Sequence, residues 1–260
     1  MSEESEEPIA GLRKDRLFIE AVARAFRLLE AFADMPEPQT LSQLAASARI
    51  DKSAAQRMAH TLCSLGYLEQ VSGGFMPGSR LLERSFDYLR ANPLVSRAIP
   101  ILAELRKTVK ERVDLSLFDD LTMLYVVRLQ SKRDTFFAHL IGRRVPTFCT
   151  SGGLAVMSAL PDDKVLDILN RSDRRKLTSK TTTDVDEILV SVENAREKGY
   201  SLATEQIQIG ELAVGVALKD KQGNPIGAIH VAGSLGEWEP EAFEKRIAPL
   251  AVAAATAVNG

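Results

Sequence analysis

At 260 residues the chain is too long for one small module and suits two domains. With 45% apolar and 26% charged residues it can build ordinary cores, and it contains no apolar run near the roughly 18 residues of a membrane helix. The acidic start MSEESEEPIA lacks the basic and apolar regions of a secretory signal, so a cytoplasmic protein without membrane attachment is expected.

Residues 1–15 carry five acids and two bases and read as a disordered tail. A helix follows over 16–33, with Ile19, Val22, Phe26, Leu29 and Ala33 at 3,4,3,4 spacing as its expected inner face. Met35-Pro36-Glu37-Pro38 breaks it.

The stretch 40–78 is the most informative. Thr40 and Gln43 form a T-x-x-Q capping box, and Leu41, Leu44, Ala45 and Ala48 line one face of a short helix. Asp51 caps a second helix, which turns Ala55, Met58, Leu62 and Leu65 inward and Ser53, Gln56, Arg57, His60 and Ser64 outward. Gly66 stops it. YLEQV and GFMPG then flank a Ser72-Gly73-Gly74 hairpin turn. Helix, turn, helix and hairpin make a winged helix-turn-helix over 16–78. Glutamine and arginine on an exposed helix face are the residue types that read base edges and hold phosphates. The expected contacts to double-stranded DNA are Lys52, Ser53, Gln56, Arg57 and His60, with Thr40, Ser42, Gln43 and the Gly73-Gly74 wing tip on the backbone. Residues 16–80 hold seven bases and six acids, a small excess for phosphate binding by one copy, so a homodimer presenting two copies is expected.

Residues 79–92 read as a linker helix with Leu81, Leu82, Phe86 and Leu89 inward, ended by Asn92-Pro93. A second bridging helix follows with Leu94, Ile101, Leu105 and Val109 inside and a kink at Pro100. The domain over 93–260 is α+β. ERVDLSLFDD, LTMLYVVRLQS and FFAHLIGRRVP read as strands, the first two joined at Asp119-Asp120, and Arg143-Arg144 as a solvated turn. FCTSGGLAVMSALPDD reads as a Gly152-Gly153 turn opening a short helix, a place where free N–H groups can meet an anion. Two more helices, the strands ELAVGVALKD and PIGAIHVAGS, and a terminal helix bent at Pro249 complete an antiparallel sheet flanked by helices.

Cys63 and Cys149 lie far apart and read as buried thiols, and His60, His139 and His230 show no metal-ligand spacing, so neither metal nor cofactor is expected. Nucleophile-elbow, zinc-protease, P-loop and dinucleotide patterns are missing, which disfavours the rival class, a small-molecule enzyme or a sensor module that does not act on DNA.

Both halves resemble the IclR family of bacterial transcription regulators, from about residue 17 onward. The segments that carry the resemblance are ARAFRLLE at 23–30, LSQLAASARIDKSAAQRMAHTLCSLGYLE at 41–69, FMPG at 75–78, PILAEL at 100–105 and GRRVPTFCTSGGLAVMSAL at 142–160. Gly199-Tyr200, Glu205, Gly210 and Ala213 match a further family pattern. The resemblance implies an N-terminal winged helix, a linker helix and a GAF-like effector-binding domain, a dimer or tetramer on palindromic operators, and control by a small metabolite, often an organic or aromatic acid. It also implies an effector site at Ser151, Gly152, Gly153, Ala203, Glu211, Ala213, His230 and Ala232. Leu154 stands where the family usually has lysine, and several pocket positions differ from the usual residues. His230 is expected to supply a donor whose charge follows the ligand.

Overall fold

The computed structural model describes residues 15–33, 37–131 and 141–260. It divides into two units, one through Tyr88 and one from Leu89. The expected acidic tail and the first part of the FFAHLIGRRVP strand fall outside the described residues.

In the first unit α1 (Glu20–Glu30), α2 (Leu41–Ser47) and α3 (Lys52–Ser64) precede the hairpin β1 (Leu68–Val71) and β2 (Gly74–Pro77). Thr40 and Gln43 close the capping box of α2, and the Asp51 carboxylate accepts the Ala54 N–H at the start of α3. The core gathers Leu28, Leu44, Ala45, Ala48, Ala55, Ala59, Leu62 and Leu68. Gln39 and Phe75 exchange two backbone hydrogen bonds, of 2.9 and 2.8 Å, which add a third short strand to the wing. Gly74 permits this approach, because a Cβ there would overlap the Gln39 carbonyl.

Two inner faces differ from the sequence pattern. Ile19, which caps α1, and Val22 and Phe26 within it are 64%, 50% and 60% exposed, and Leu28 is the buried residue. On α3, Ala59 takes the inward place and Leu65 is exposed. The helix α4 (Arg80–Ala91), which the division between units crosses, buries no residue; Leu82 and Phe86 are exposed and Leu81 and Leu89 are half-buried.

The second unit is a six-stranded antiparallel sheet in the order β5-β4-β3-β8-β7-β6. Its strands are β3 (Arg112–Asp119), β4 (Thr122–Leu129), β5 (Arg144–Pro146), β6 (Ser201–Thr204), β7 (Glu211–Lys219) and β8 (Pro225–Ser234). On one face α5 (Pro93–Val109) and α9 (Pro240–Asn259) bury Leu102, Leu105, Ile247 and Ala251 against Val113, Leu115, Val214, Val216, Ile229 and Val231. Thus α5 belongs to this core. Pro100 and Pro249 sit on exposed faces of α5 and α9, where a missing N–H meets solvent.

On the other face lie α6 (Ser151–Ser158), α7 (Asp162–Arg171) and α8 (Val185–Lys198). The Gly-Gly pair is the first turn of α6, capped by Thr150, whose hydroxyl accepts the Gly153 N–H at 3.0 Å. These glycines let α6 lie directly on its surroundings. A Cβ on Gly152 would overlap the His230 ring, and one on Gly153 the Thr147 carbonyl oxygen. Gly215 in β7 faces the Ser151 carbonyl with the same lack of space.

Thr147 is pinned by its N–H on the Leu121 carbonyl and its hydroxyl on the Asp120 carbonyl, both at 2.9 Å. It cannot yield cheaply, so Gly153→Ala is expected to destabilise the second unit by about 1–3 kcal/mol. The chain's one tryptophan, Trp238, lies in this unit, so urea unfolding followed by its fluorescence measures the loss. An unchanged midpoint would show that α6 has room to move.

Candidate functional site

In the first unit the outward face of α3 is as the spacing predicts. Lys52, Ser53, Gln56, Arg57, His60 and Ser64 are all exposed. Ser64 and Thr61 turn their hydroxyls back onto the His60 and Arg57 carbonyls, both at 2.9 Å. No ion pair holds Lys52 or Arg57 among the described residues. Ser42 is exposed, but Thr40 and Gln43 are committed to each other: the Thr40 N–H and hydroxyl both donate to Gln43 Oε1, at 2.8 and 2.7 Å. Gly73 stands open at the wing tip, whereas Gly74 is packed on Gln39.

In the second unit a cavity of about 300 Å³ opens between the sheet, the start of α6 and the 205–210 loop. Of the sequence-derived positions, Ser151, Ala203, Glu211, Ala213 and His230 line it. Gly152, Gly153 and Ala232 do not: the glycines are closed against His230 and Thr147, and Ala232 is buried in β8 between Arg112 and Ala213. Lining residues that sequence reasoning missed include Arg112, Tyr125, Arg128, Arg143, Glu205 and Gln206. Arg143 is therefore a cavity residue and not merely part of a solvated turn.

Strand register explains the convergence. In one cross-strand row Arg128 of β4 stands opposite Asp114 of β3, which stands opposite His230 of β8. Leu115 pairs with Val127 and Ser116 with Tyr125, so β4 bulges at Val126. The extra residue shifts the alternation and brings Tyr125 and Arg128 onto one face. Asp114 is fully buried. It accepts from Arg112 Nε at 2.9 Å and from Arg128 Nε and Nη2 at 2.8 and 3.1 Å. Arg112 Nη1 also donates to Glu211 Oε2 at 2.6 Å. Glu211 thus enters the cavity already paired.

His230 is held from both sides. Its Nε2 lies 2.7 Å from Ser116 Oγ and its Nδ1 3.2 Å from Ser151 Oγ. The Tyr125 ring lies 5.0 Å away, and the Arg128 guanidinium caps that ring at 5.7 Å. Burial, and then the Asp114 carboxylate, push the Tyr125 phenol above its ordinary value, so it remains a protonated donor. Burial pushes the His230 pKa down to about 4, and the nearby arginines add to this against the pull of Asp114. The imidazole is neutral near pH 7, so the ordinary histidine pKa that the sequence reading assumed does not hold in this arrangement. Burial likewise raises the Cys149 thiol to about 12 and makes it an inert core group.

Fold and cavity together define a two-part molecule, a winged helix with a free polar face and a sheet domain with a ligand-sized, polar-walled chamber. The IclR helix-turn-helix domain matches residues 21–72, and the description "Bacterial transcriptional regulator IclR C-terminal" matches residues 86–259. The chain belongs to the IclR family of bacterial transcriptional regulators. Similar curated proteins include the Pca regulon regulatory protein of Pseudomonas putida, 25% identical over 91% of this chain and 82% of that one. The p-hydroxybenzoate hydroxylase transcriptional activator of Acinetobacter baylyi is 26% identical over 90% and 88%. A crystal structure of a putative transcriptional regulator from Rhodococcus sp. RHA1 is similar at TM-score 0.83 and 25% identity, covering 93% of this chain and 97% of that one. An IclR homolog complexed with 4-hydroxybenzoate from Microbacterium hydrocarbonoxydans shares the fold at TM-score 0.78 and 22% identity, over 92% and 97%. Among the described residues no helix is long and apolar enough to cross a membrane.

The His230 geometry sets a pH dependence. The unfolded chain takes up this proton below about pH 6.5, whereas the folded chain takes it up only near pH 4. Between these values the unfolded state binds more protons, so stability falls as pH drops from about 6.5 toward 4. NMR of ring-labelled histidine should show His230 neutral at pH 5.5. An imidazolium signature there would contradict the arrangement.

Proposed function

We propose that the chain binds operator DNA through its winged helix and that a small organic acid, aromatic acids foremost, changes this binding or promoter output from the second unit. The observation that carries the DNA half is the uncommitted face of α3, where Ser53, Gln56 and Arg57 stand exposed and Lys52 and Arg57 lack ion pairs among the described residues. Gln56 suits an adenine edge and Arg57 a guanine or a phosphate, with Ser42 and Gly73 near the backbone. The effector half is supported by the polar-walled cavity and by two similar proteins, the p-hydroxybenzoate hydroxylase activator and the homolog complexed with 4-hydroxybenzoate.

The working form is a homodimer or a dimer of dimers. Exposed Ile19 at the start of α1, Val22 and Phe26 within it, and Leu82 and Phe86 on α4, are apolar groups that a second copy would remove from water. Two copies would also double the phosphate contacts of a weakly basic module. In this reading residues 79–92 link a reading domain to a sensing domain in the cytoplasm. The cavity is read as a binding site and not a catalytic one, because the family models that match the chain are those of transcriptional regulators.

Fluorescence anisotropy with DNA from upstream of the protein's own gene tests the reading. Salt-sensitive, sequence-preferring binding is expected. Gln56→Ala should cost about 1–3 kcal/mol and relax base preference at one position in each half-site. Arg57→Ala should weaken binding, uniformly across sequences if the contact is to phosphate. Unchanged affinity and base preference in both variants would refute the assigned face.

A further inference from the structure

The charges around the cavity fall into two sets. Arg112, Arg128, Asp114 and Glu211 satisfy one another. Arg143 and Glu205 stand outside that cluster. Arg143 has an exposed side chain lining the cavity and no ion-pair partner among the described residues. Its neighbour Arg144 is spent on Asp119 and Thr122. The Arg143 backbone is fixed: its carbonyl accepts the Tyr125 N–H at 3.0 Å, and the Gly142 N–H donates to the Tyr125 carbonyl at 2.8 Å. A guanidinium held at the cavity by backbone bonds, with no ion pair among the described residues, is a ready binder of a carboxylate.

The acceptors come from elsewhere in the sheet. Arg143 precedes β5 at one edge, whereas Glu205 follows β6 at the other edge and Glu211 opens β7 beside it. Glu205 spends Oε1 on the Gly210 N–H at 2.9 Å, and Glu211 spends Oε2 on Arg112. Each carboxylate retains acceptor capacity and offers no donor when ionised. The loop that carries Glu205 is itself anchored, because Thr178 and Thr181 donate to the Glu205 and Gln206 carbonyls, both at 2.7 Å. A ligand spanning the cavity therefore meets the Arg143 guanidinium on one side and carboxylate acceptors on the other.

We infer that the cavity takes a monocarboxylate bearing a hydroxyl or amine at its far end, with Arg143 binding the carboxylate and Glu205 and Glu211 accepting from the donor. This rests on the cavity being the effector site proposed above. A dicarboxylate would set its second charge against two acids, and a neutral amide would forgo the charge on Arg143.

Isothermal titration of the full chain tests this with two probe sets: 4-hydroxybenzoate, 4-hydroxybenzamide and terephthalate, and 4-hydroxybutanoate, 4-hydroxybutanamide and succinate. The hydroxy acid of at least one set should bind at least about tenfold more tightly than its amide and its dicarboxylate. Arg143→Gln should weaken that acid about tenfold or more and leave the amide unchanged, Arg143→Lys should restore part of the loss, and Arg144→Gln should have no effect. Equal binding of the acid by wild type and Arg143→Gln, or a dicarboxylate binding as well as the hydroxy acid, overturns the inference while leaving the effector reading intact. If no carboxylate of either set binds, the organic-acid reading fails and the inference fails with it.

Discussion

Asp114 lies fully buried between two guanidinium groups, and the polar layer of the second unit depends on it. A lone carboxylate in that position would be strongly disfavoured, and so would the side chain of Arg128, which is 2% exposed. Together they are tolerable, because Asp114 receives three charge-assisted bonds and Arg112 passes its remaining charge on to Glu211. The outcome is a charge-balanced patch on a sheet face, beside which a cavity can stay polar. Replacing these groups with apolar residues would fill the space and remove the chemistry.

That patch also governs its neighbours. The arginines help keep His230 neutral, so the imidazole can share hydrogen bonds with two serines instead of holding a charge. Ser151 is the first residue of α6, and the small residues Gly152 and Gly215 bring α6 close enough for this contact. Sheet register, helix docking and cavity wall are therefore one construction. A ligand entering it meets side chains already fixed by other bonds, which lowers the ordering cost of binding. Arg143 is the exception, with its backbone fixed and its guanidinium without an ion pair among the described residues.

Much of this was legible in the sequence. The capping box at Thr40 and Gln43, the Asp51 cap and the Gly-Gly hairpin are local signals, and local hydrogen bonds realise them. Helix faces were harder. Ile19, Val22 and Phe26 have core spacing, yet they form an exposed apolar stripe, because periodicity marks an apolar face and does not say what covers it. Charged cavity residues were hardest. Arg112, Asp114 and Arg128 carry no local signal of a site, and only the cross-strand register shows that they meet. Arg128 joins Tyr125 through the irregularity at Val126, which alternation alone cannot reveal. The glycines of α6 read as an anion-binding turn, whereas they allow close packing, Gly152 on His230 of a distant strand and Gly153 on the Thr147 carbonyl.

The most direct test of this account is the unfolding free energy of Asp114→Asn in the full chain, followed by Trp238 fluorescence in urea. The change keeps the shape and removes the charge that the buried Arg128 side chain and the half-buried Arg112 share. The account predicts a loss of about 3 kcal/mol or more, partly recovered when Arg128→Met is added, since the second change removes a guanidinium left without its counter-charge. An Asp114→Asn protein as stable as the wild type would mean that the cluster does not organise the domain.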